Sequence, residues 1–89
     1  MAEETKKEAK EAIALMIEVA NDRSVPRNIR TVVEDAAQKI QAKTIDATSI
    51  GNAIYLLDDI SNDINMPSHA RTDIWQIISK LEALKEKVK

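Results

Sequence analysis

An internal repeat constrains the fold of this chain more than any other feature of its sequence. Residues 21–31 (NDRSVPRNIRT) return as residues 62–72 (NDINMPSHART), and five of the eleven positions are identical. The only two prolines, Pro26 and Pro67, occupy the same place in both copies. Proline disrupts the interior of a helix but is well suited to its start. The repeat therefore predicts the same event twice: one helix ends, the chain turns, and another helix begins.

Apolar residues recur three and four positions apart in four stretches, which is the spacing that places them on one side of an α-helix. The four predicted stripes are Ala9, Ala12, Ile13, Met16, Ile17 and Ala20; Ile29, Val32, Val33, Ala36, Ala37 and Ile40; Ile50, Ala53, Ile54, Leu57 and Ile60; and Ala70, Ile74, Ile77, Ile78, Leu81, Leu84 and Val88. The chain has one glycine and no phenylalanine, and it is rich in alanine, leucine, glutamate and lysine, which favour helices. We therefore predict an all-α fold.

The connectors predict how these helices are arranged. Each repeated segment leaves roughly five residues between two helices, and connectors this short make sequential helices antiparallel neighbours. We predict a four-helix up-down-up-down bundle, a single domain over residues 1–89, made of two repeated helical hairpins at about 4–42 and 46–88. The spacing of the two copies is also typical of HEAT-type repeats, but solenoids generally need three or more repeats and this chain has two.

Several residues are candidates for helix ends and close packing. Ser24 or Val25 is expected at the N-cap of the second helix, and Thr44 or Asp46 at that of the third. Gly51 lies in the first turns of the third helix, where glycine costs up to about 1 kcal/mol relative to alanine. We therefore expect the backbone of a neighbouring helix to approach Gly51 closely.

Composition excludes several classes of function. The chain has no cysteine, so neither a disulfide nor a thiolate metal site can form, and no cofactor is expected. Its net charge of −2 does not attract nucleic acid or anionic lipid in bulk. No apolar stretch approaches the roughly 18 residues that span a bilayer, and the amino terminus lacks the layout of a secretory signal. We therefore expect a cytoplasmic protein that does not bind membranes.

The repeated polar residues have a structural interpretation. The connector residues to which we assign this role are Asp22, Pro26, Arg30, Asp63, Pro67 and Arg71. Each aspartate is expected to accept hydrogen bonds from the free N–H groups at the following helix start. Each arginine is expected to reach back to the aspartate or to the last carbonyls of the preceding helix. The alternative is a pair of symmetric carboxylate sites.

Two features could carry catalytic chemistry, and neither fits a known arrangement. Asp58, Asp59 and Asp63 form the densest acidic cluster, the kind of group that binds metal or cleaves glycosides. Metal sites in bundles, however, combine inward-facing Glu with Glu-x-x-His motifs, which this sequence lacks, so a solvated face is favoured. His69 is the only histidine, and the sequence offers it no nucleophile motif. We therefore predict that the protein is not an enzyme.

Two features could carry binding. Arg23, Arg27 and Arg30 concentrate positive charge around the first connector, where they could contact phosphate or a protein partner. No aromatic residues are interleaved with them to stack on bases, so ordinary surface ion pairs are the alternative. Trp75 follows a predicted core residue and is expected either to pack at the edge of the bundle or to anchor a partner.

Three segments carry a resemblance to a known family: residues 21–30 (NDRSVPRNIR), 60–63 (ISND) and 65–75 (NMPSHARTDIW). Through them the chain resembles the archaeal uncharacterised protein family 0147 over nearly its whole length. The resemblance implies a small cytosolic helical-bundle protein. It supplies no activity, cofactor or catalytic residue.

These observations predict a non-enzymatic module that self-associates or binds a protein partner, because Leu15, Val19, Leu56 and Ile64 are apolar beyond the four stripes. The alternative is a nucleic-acid or ribonucleoprotein accessory that uses the local arginine patch. The two copies of the repeat differ at four pairs of positions: Arg23 and Ile64, Arg27 and Ser68, Asn28 and His69, and Glu34 and Trp75. If one surface carries the function, we expect it at these positions.

Overall fold

The computed structural model describes residues 3–41 and 45–88, and it contains four helices. They are α1 (Glu3–Ala20), α2 (Arg27–Ile40), α3 (Ala47–Ile60) and α4 (Ser68–Lys87). No strand occurs within these two ranges, so the predicted all-α fold is confirmed. The expected boundary at residue 42 and the candidate cap Thr44 lie outside the described residues.

Both prolines are themselves the N-cap residues of α2 and α4. Pro26 has φ −54° and ψ 147°, and its carbonyl accepts hydrogen bonds from Ile29 N and Arg30 N, both at 3.1 Å. The prediction that Ser24 or Val25 caps α2 is therefore wrong. The ring fixes φ at a helical value, but the extended ψ keeps proline outside the helix, so its own carbonyl closes the first turn. Pro67 caps α4 in the same conformation, with φ −61° and ψ 149°.

Helix α3 begins with a side-chain cap, as the sequence predicted for Asp46. Its carboxylate Oδ1 accepts a hydrogen bond from Ser49 N at 2.7 Å. This backbone hydrogen bond, followed by one from the Ser49 hydroxyl, lowers the pKa of Asp46, because both stabilise the ionised carboxylate. The cap fixes where α3 starts.

Each helix packs against two others, and the four enclose one core. Helix α1 contacts α2 and α4, and helix α3 also contacts α2 and α4. The largest fully buried side chains are Met16, Val25, Ile29, Val33, Ile40, Ile50, Leu57, Ile74, Ile77, Leu81 and Leu84. The connectors contribute to this core as well, because Val25 and Met66, which are equivalent positions of the repeat, are both buried. The aliphatic packing predicted from the sequence therefore extends into the turns.

The structure corrects the expectations about four apolar residues. Ile17, placed in the first predicted stripe, is 45% exposed. The predicted stripe is wider than the part of the α1 surface that α2 and α4 cover. Val19, interpreted as surplus to the core, is buried within it, and Leu15 and Leu56 are half-buried against it. Of the four residues interpreted as surplus, only Ile64 is largely exposed.

Gly51 does not mark a close approach of two backbones. A Cβ atom added there would meet only the end of the Lys85 side chain, with Nζ at 3.5 Å and Cε at 3.8 Å. These are ordinary contacts with a flexible side chain, and Gly51 has no positive φ. The expected helix–helix approach is therefore wrong. The contact instead shows that the start of α3 lies beside the end of α4.

Candidate functional site

The first connector is closed by Asp22, which folds back on its own chain. Its Oδ1 accepts hydrogen bonds from Ser24 N at 2.9 Å and from Ser24 Oγ at 2.6 Å. Its Oδ2 lies 2.9 Å from His69 Nε2 at the start of α4. The Ser24 hydroxyl, then His69, then Ser24 N lower the pKa of Asp22 to about 2, since each stabilises the carboxylate. Asp22 is therefore ionised at neutral pH.

The second connector repeats this arrangement at the equivalent positions. Asp63 Oδ1 accepts a hydrogen bond from Asn65 N at 2.8 Å, and Asp63 Oδ2 accepts one from Asn28 Nδ2 at 3.3 Å. Asn28 and His69 are equivalent in the repeat, so each connector's aspartate contacts the early part of the helix that follows the other connector. In both copies the aspartate accepts a hydrogen bond from the backbone N–H two residues later. The expectation that the aspartates accept from helix-start N–H groups is therefore wrong, because each helix begins farther along, after its proline.

The repeated arginines bind carbonyl groups of the connectors and are half-buried. Arg30 Nε donates to Val25 O at 3.0 Å. Arg71 Nε donates to Ser61 O at 3.1 Å, and its Nη2 donates to Asp63 O at 3.1 Å. Carbonyls at a helix end have no partner within the helix, and a guanidinium with several donors can satisfy more than one of them. Arg30 is thus held against the protein and differs in this respect from Arg23 and Arg27.

The structure brings together a serine, a histidine and an aspartate that the sequence did not place side by side. His69 Nε2 lies 3.2 Å from Ser24 Oγ and 2.9 Å from Asp22 Oδ2. In a serine hydrolase the imidazole uses one nitrogen for the serine and the other for the aspartate. Here a single nitrogen faces both groups, and the serine hydroxyl donates directly to the carboxylate. In this arrangement the imidazole does not bridge the serine and the aspartate, and the trio holds the first connector against α4.

The acidic cluster does not converge on one point. Asp58 and Asp59 are exposed on α3, whereas the Asp63 carboxylate is used within its own turn. Among the residues that the structure describes, no three His, Cys, Asp or Glu side chains are grouped to hold a metal ion. Over the same residues, no helix combines the length and the apolar character needed to cross a bilayer.

An open groove of about 310 Å³ lies between α1 and α4, away from the connectors. Its lining residues are Glu8, Glu11, Ser79, Lys80 and Ala83. Acidic and basic side chains both line it, and Glu8 pairs with Lys87 at its end. Its lining contains two glutamates and one lysine, and no histidine, cysteine or aromatic residue.

Large apolar side chains are exposed on the second half of the chain. Ile64 in the second connector is 92% exposed, Tyr55 on α3 is 72% exposed and Trp75 on α4 is 58% exposed. The equivalent positions of the first copy hold Arg23, Ala14 and Glu34, so that copy places charged or small residues at these points. The sequence indicated Ile64 and Trp75 by this comparison. It did not single out Tyr55 as a binding residue, although Tyr55 also differs from its equivalent in the first copy, Ala14.

The predicted arginine patch is only partly assembled. Arg23 and Arg27 are exposed, and their side chains make no hydrogen bond or ion pair with any described residue. Arg30 is turned inward to Val25 O, as described above. Two of the three arginines are therefore available to bind another molecule.

Comparison with known proteins identifies relatives of similar length and shape. A UPF0147 protein of Metallosphaera sedula is 42% identical over 78 residues, covering 86% of this chain and 88% of that protein. A UPF0147 protein of Sulfurisphaera tokodaii is 40% identical over 78 residues with the same coverage. The crystal structure of a UPF0147 protein from Thermoplasma acidophilum superposes with a TM-score of 0.84 at 36% identity, covering 89% of this chain and 94% of that one.

The sequence model of the UPF0147 family matches residues 1–84, which is nearly the full length of the chain. The predicted resemblance is therefore confirmed, and these relatives come from archaea. The chain belongs to the uncharacterised protein family UPF0147.

Proposed function

We propose that this protein is a non-enzymatic, cytoplasmic interaction module that binds another polypeptide through one face of an up-down-up-down bundle. This surface, the α3–α4 face, consists of Tyr55, Asp58, Asp59, Ile64 and Trp75. The proposal includes the architecture on which the face depends, namely two repeated helical hairpins packed against each other.

Contacts between helix ends support the proposed architecture. The pairing of His69 with Asp22 brings the start of α4 to the end of α1, and the pairing of Lys87 with Glu8 brings the end of α4 to the start of α1. Two helices joined at opposite ends in this way run antiparallel. The hydrogen bond from Asn28 to Asp63 likewise brings the start of α2 to the end of α3.

The geometry of the polar clusters supports a non-enzymatic role. The Ser24, His69 and Asp22 trio uses one imidazole nitrogen for both partners, and the connector arginine Arg71 is occupied by carbonyl groups. These groups form hydrogen bonds with one another and with backbone carbonyl groups. Nothing in their arrangement aims a nucleophile, an acid or a base at a common point.

The exposed apolar residues are the observation that carries the proposal. Monomeric proteins do expose single apolar side chains, but tryptophan and tyrosine are enriched at the centres of protein interfaces. Tyr55 and Trp75 lie on the adjacent helices α3 and α4, and the connector that carries Ile64 joins those two helices. The equivalent residues of the first copy are smaller or charged, so the repeat alone does not account for these side chains.

Site-specific photo-cross-linking tests the proposal. A photoreactive phenylalanine analogue is placed at position 75 in the full chain, and a matched variant carries it at the exposed neighbour Gln76. We expect position 75 to cross-link to a polypeptide in native cells and position 76 to do so much less. Equal cross-linking at both positions, or none at either, would contradict a binding role for the α3–α4 face.

A second candidate function is supported by Arg23 and Arg27, which are exposed beside the start of α2. Pro26 provides no side-chain cap there, and both guanidinium groups lack partners among the described residues. Such a helix start can bind phosphate, so the protein could act as a nucleic-acid or ribonucleoprotein accessory. Binding would weaken steeply with salt and fall in Arg23→Gln with Arg27→Gln but not in Lys7→Gln with Lys39→Gln. Absence of binding at low salt would eliminate this candidate.

A further inference from the structure

We propose that the polypeptide bound by the α3–α4 face is a second copy of this chain, docked through its α1–α2 face. The α1–α2 face consists of Ile17, Arg23 and Arg27. This inference rests on the proposed function, because it identifies the partner of the same surface. It is carried by the charges and exposed apolar side chains of the two faces.

The α3 part of the α3–α4 face carries acidic as well as apolar side chains. No lysine or arginine occurs from residue 45 to residue 70, a stretch that contains four aspartates. Asp46 caps α3 and Asp63 closes its turn, but the Asp58 and Asp59 carboxylates make no hydrogen bond or ion pair with any described residue. Asp58 and Asp59 follow Tyr55 by three and four positions, so all three lie on one exposed strip of α3. This strip therefore favours a partner with exposed positive charge next to apolar surface.

The α1–α2 face has exposed positive charge next to apolar surface, and the exposed Glu18 and Glu34, which are equivalent to Asp59 and Trp75, add negative charge there. Ile17 is 45% exposed, and the exposed Arg23 and Arg27 follow it across the first connector. Ile17 lies on the same flank of α1 as the half-buried Ile13, one turn away. The opposite flank, which includes Glu11, lines the groove against α4. Because α1 contacts only α2 and α4 among the described helices, Ile17 lies toward α2.

The repeat places unlike side chains at two equivalent positions of the faces. Ile17 on one face corresponds to Asp58 on the other, and Arg23 corresponds to Ile64. An arginine can bind a carboxylate through two parallel hydrogen bonds, which gives such a contact both strength and a defined orientation. Opposite charges beside exposed apolar side chains also guide association and set its register. The same chain thus supplies both halves of the contact.

The placement of the faces determines what kind of assembly they form. The helices pack in the cyclic order α1, α2, α3, α4, so the outer side of α1 and α2 lies opposite the outer side of α3 and α4. Contact between two different faces is heterologous and leaves one face of each kind free. Copies should therefore add one after another as the concentration rises, rather than stop at a symmetric dimer.

Sedimentation equilibrium on the full chain tests this assignment with two double variants. One variant, Tyr55→Ala with Trp75→Ala, disables the α3–α4 face, and the other, Arg23→Glu with Arg27→Glu, disables the α1–α2 face. We expect each variant alone to weaken self-association at least about tenfold, as the loss of interface hot spots does. An equimolar mixture should form a 1:1 heterodimer and nothing larger, because each variant retains the one face that the other lacks.

Control variants and defined contrary outcomes keep the test decisive. Gln76→Ala and the charge-matched pair Lys7→Glu with Lys39→Glu should associate like the natural chain, and circular dichroism checks that every variant is folded. A natural chain that is monomeric at high concentration would overturn the inference, and so would an arginine variant that still dimerises. Cross-linking of position 75 to a different protein would show that the α3–α4 face does not bind a second copy of this chain. That result would leave the proposed function intact. Failure of the proposed function itself would instead show as no cross-link from position 75.

Discussion

Asp22 shows how one carboxylate links distant parts of this chain. It closes a turn with Ser24, two residues away, and contacts His69, 47 residues away. Its equivalent Asp63 does the same with Asn65 and Asn28. The local half of this arrangement follows from the tendency of aspartate to bind the backbone two residues later. The distant half depends on how the helices are arranged in space.

Replacing Asp22 with asparagine should make stability less dependent on pH in acid. The pKa of Asp22 is lowered from its ordinary value of 3.8 to about 2, so the folded state favours the ionised form. Its stabilising contribution is therefore complete above pH 3.8 and is lost as the pH falls toward 2. Urea unfolding of both proteins from pH 7 to pH 2 should show a difference in stability that shrinks below about pH 4. Asp59→Asn is the control, and a difference that does not shrink in acid would contradict the role of Asp22.

At the scale of the helices, the sequence predicted the inward faces well and the helix starts less well. The buried residues of α2, α3 and α4 all belong to the predicted stripes or to neighbouring positions, because burial follows helical periodicity. The cap of α3 was also predictable, since Asp46 binds Ser49 N within four residues of sequence. The caps of α2 and α4 were not, because a proline at the boundary can be either the first helical residue or the residue before it.

Replacing Gly51 with alanine should stabilise α3 by about 0.5 to 1 kcal/mol, because alanine loses less backbone entropy in a helix. The added Cβ meets only the flexible end of Lys85 at 3.5 Å, so no strain is expected to offset the gain. Thermal and urea unfolding would measure the change. Asn52→Ala, at the next and exposed position, reports the effect of helix propensity alone. A loss of stability in Gly51→Ala would show that this position needs glycine.

The connector arginines should differ in importance although the repeat makes them equivalent. Arg71 donates to two carbonyl oxygens and Arg30 Nε to one, so Arg71→Ala leaves more half-buried acceptors without a partner. We expect Arg71→Ala to cost about 1.5 to 3 kcal/mol and Arg30→Ala to cost less. The exposed Arg27→Ala should change stability by no more than about 0.5 kcal/mol. Equal losses for Arg30 and Arg71 in urea unfolding would contradict this ranking.

At the scale of the whole molecule, the contacts that join the two copies of the repeat could not be predicted from the sequence pattern. The pairs Asn28 with Asp63 and His69 with Asp22 join positions 35 and 47 residues apart, and no local rule pairs them. The exposed residues were easier to find, because a comparison of the two copies singles out Ile64 and Trp75 as departures from a shared scaffold. Differences between the copies thus indicated surface residues, whereas the identities mainly indicated the connectors.

A core substitution far from Trp75 tests whether the two halves unfold together. Ile40 on α2 is fully buried, and Ile40→Ala should cost about 2 to 5 kcal/mol, because it leaves a cavity in the shared core. Trp75 on α4 is the only tryptophan, so its fluorescence reports on the second half of the chain. In one cooperative bundle, fluorescence and far-ultraviolet circular dichroism should shift to lower urea concentration by the same amount. Two independent hairpins would behave differently: the circular dichroism would shift first while the Trp75 transition stayed in place.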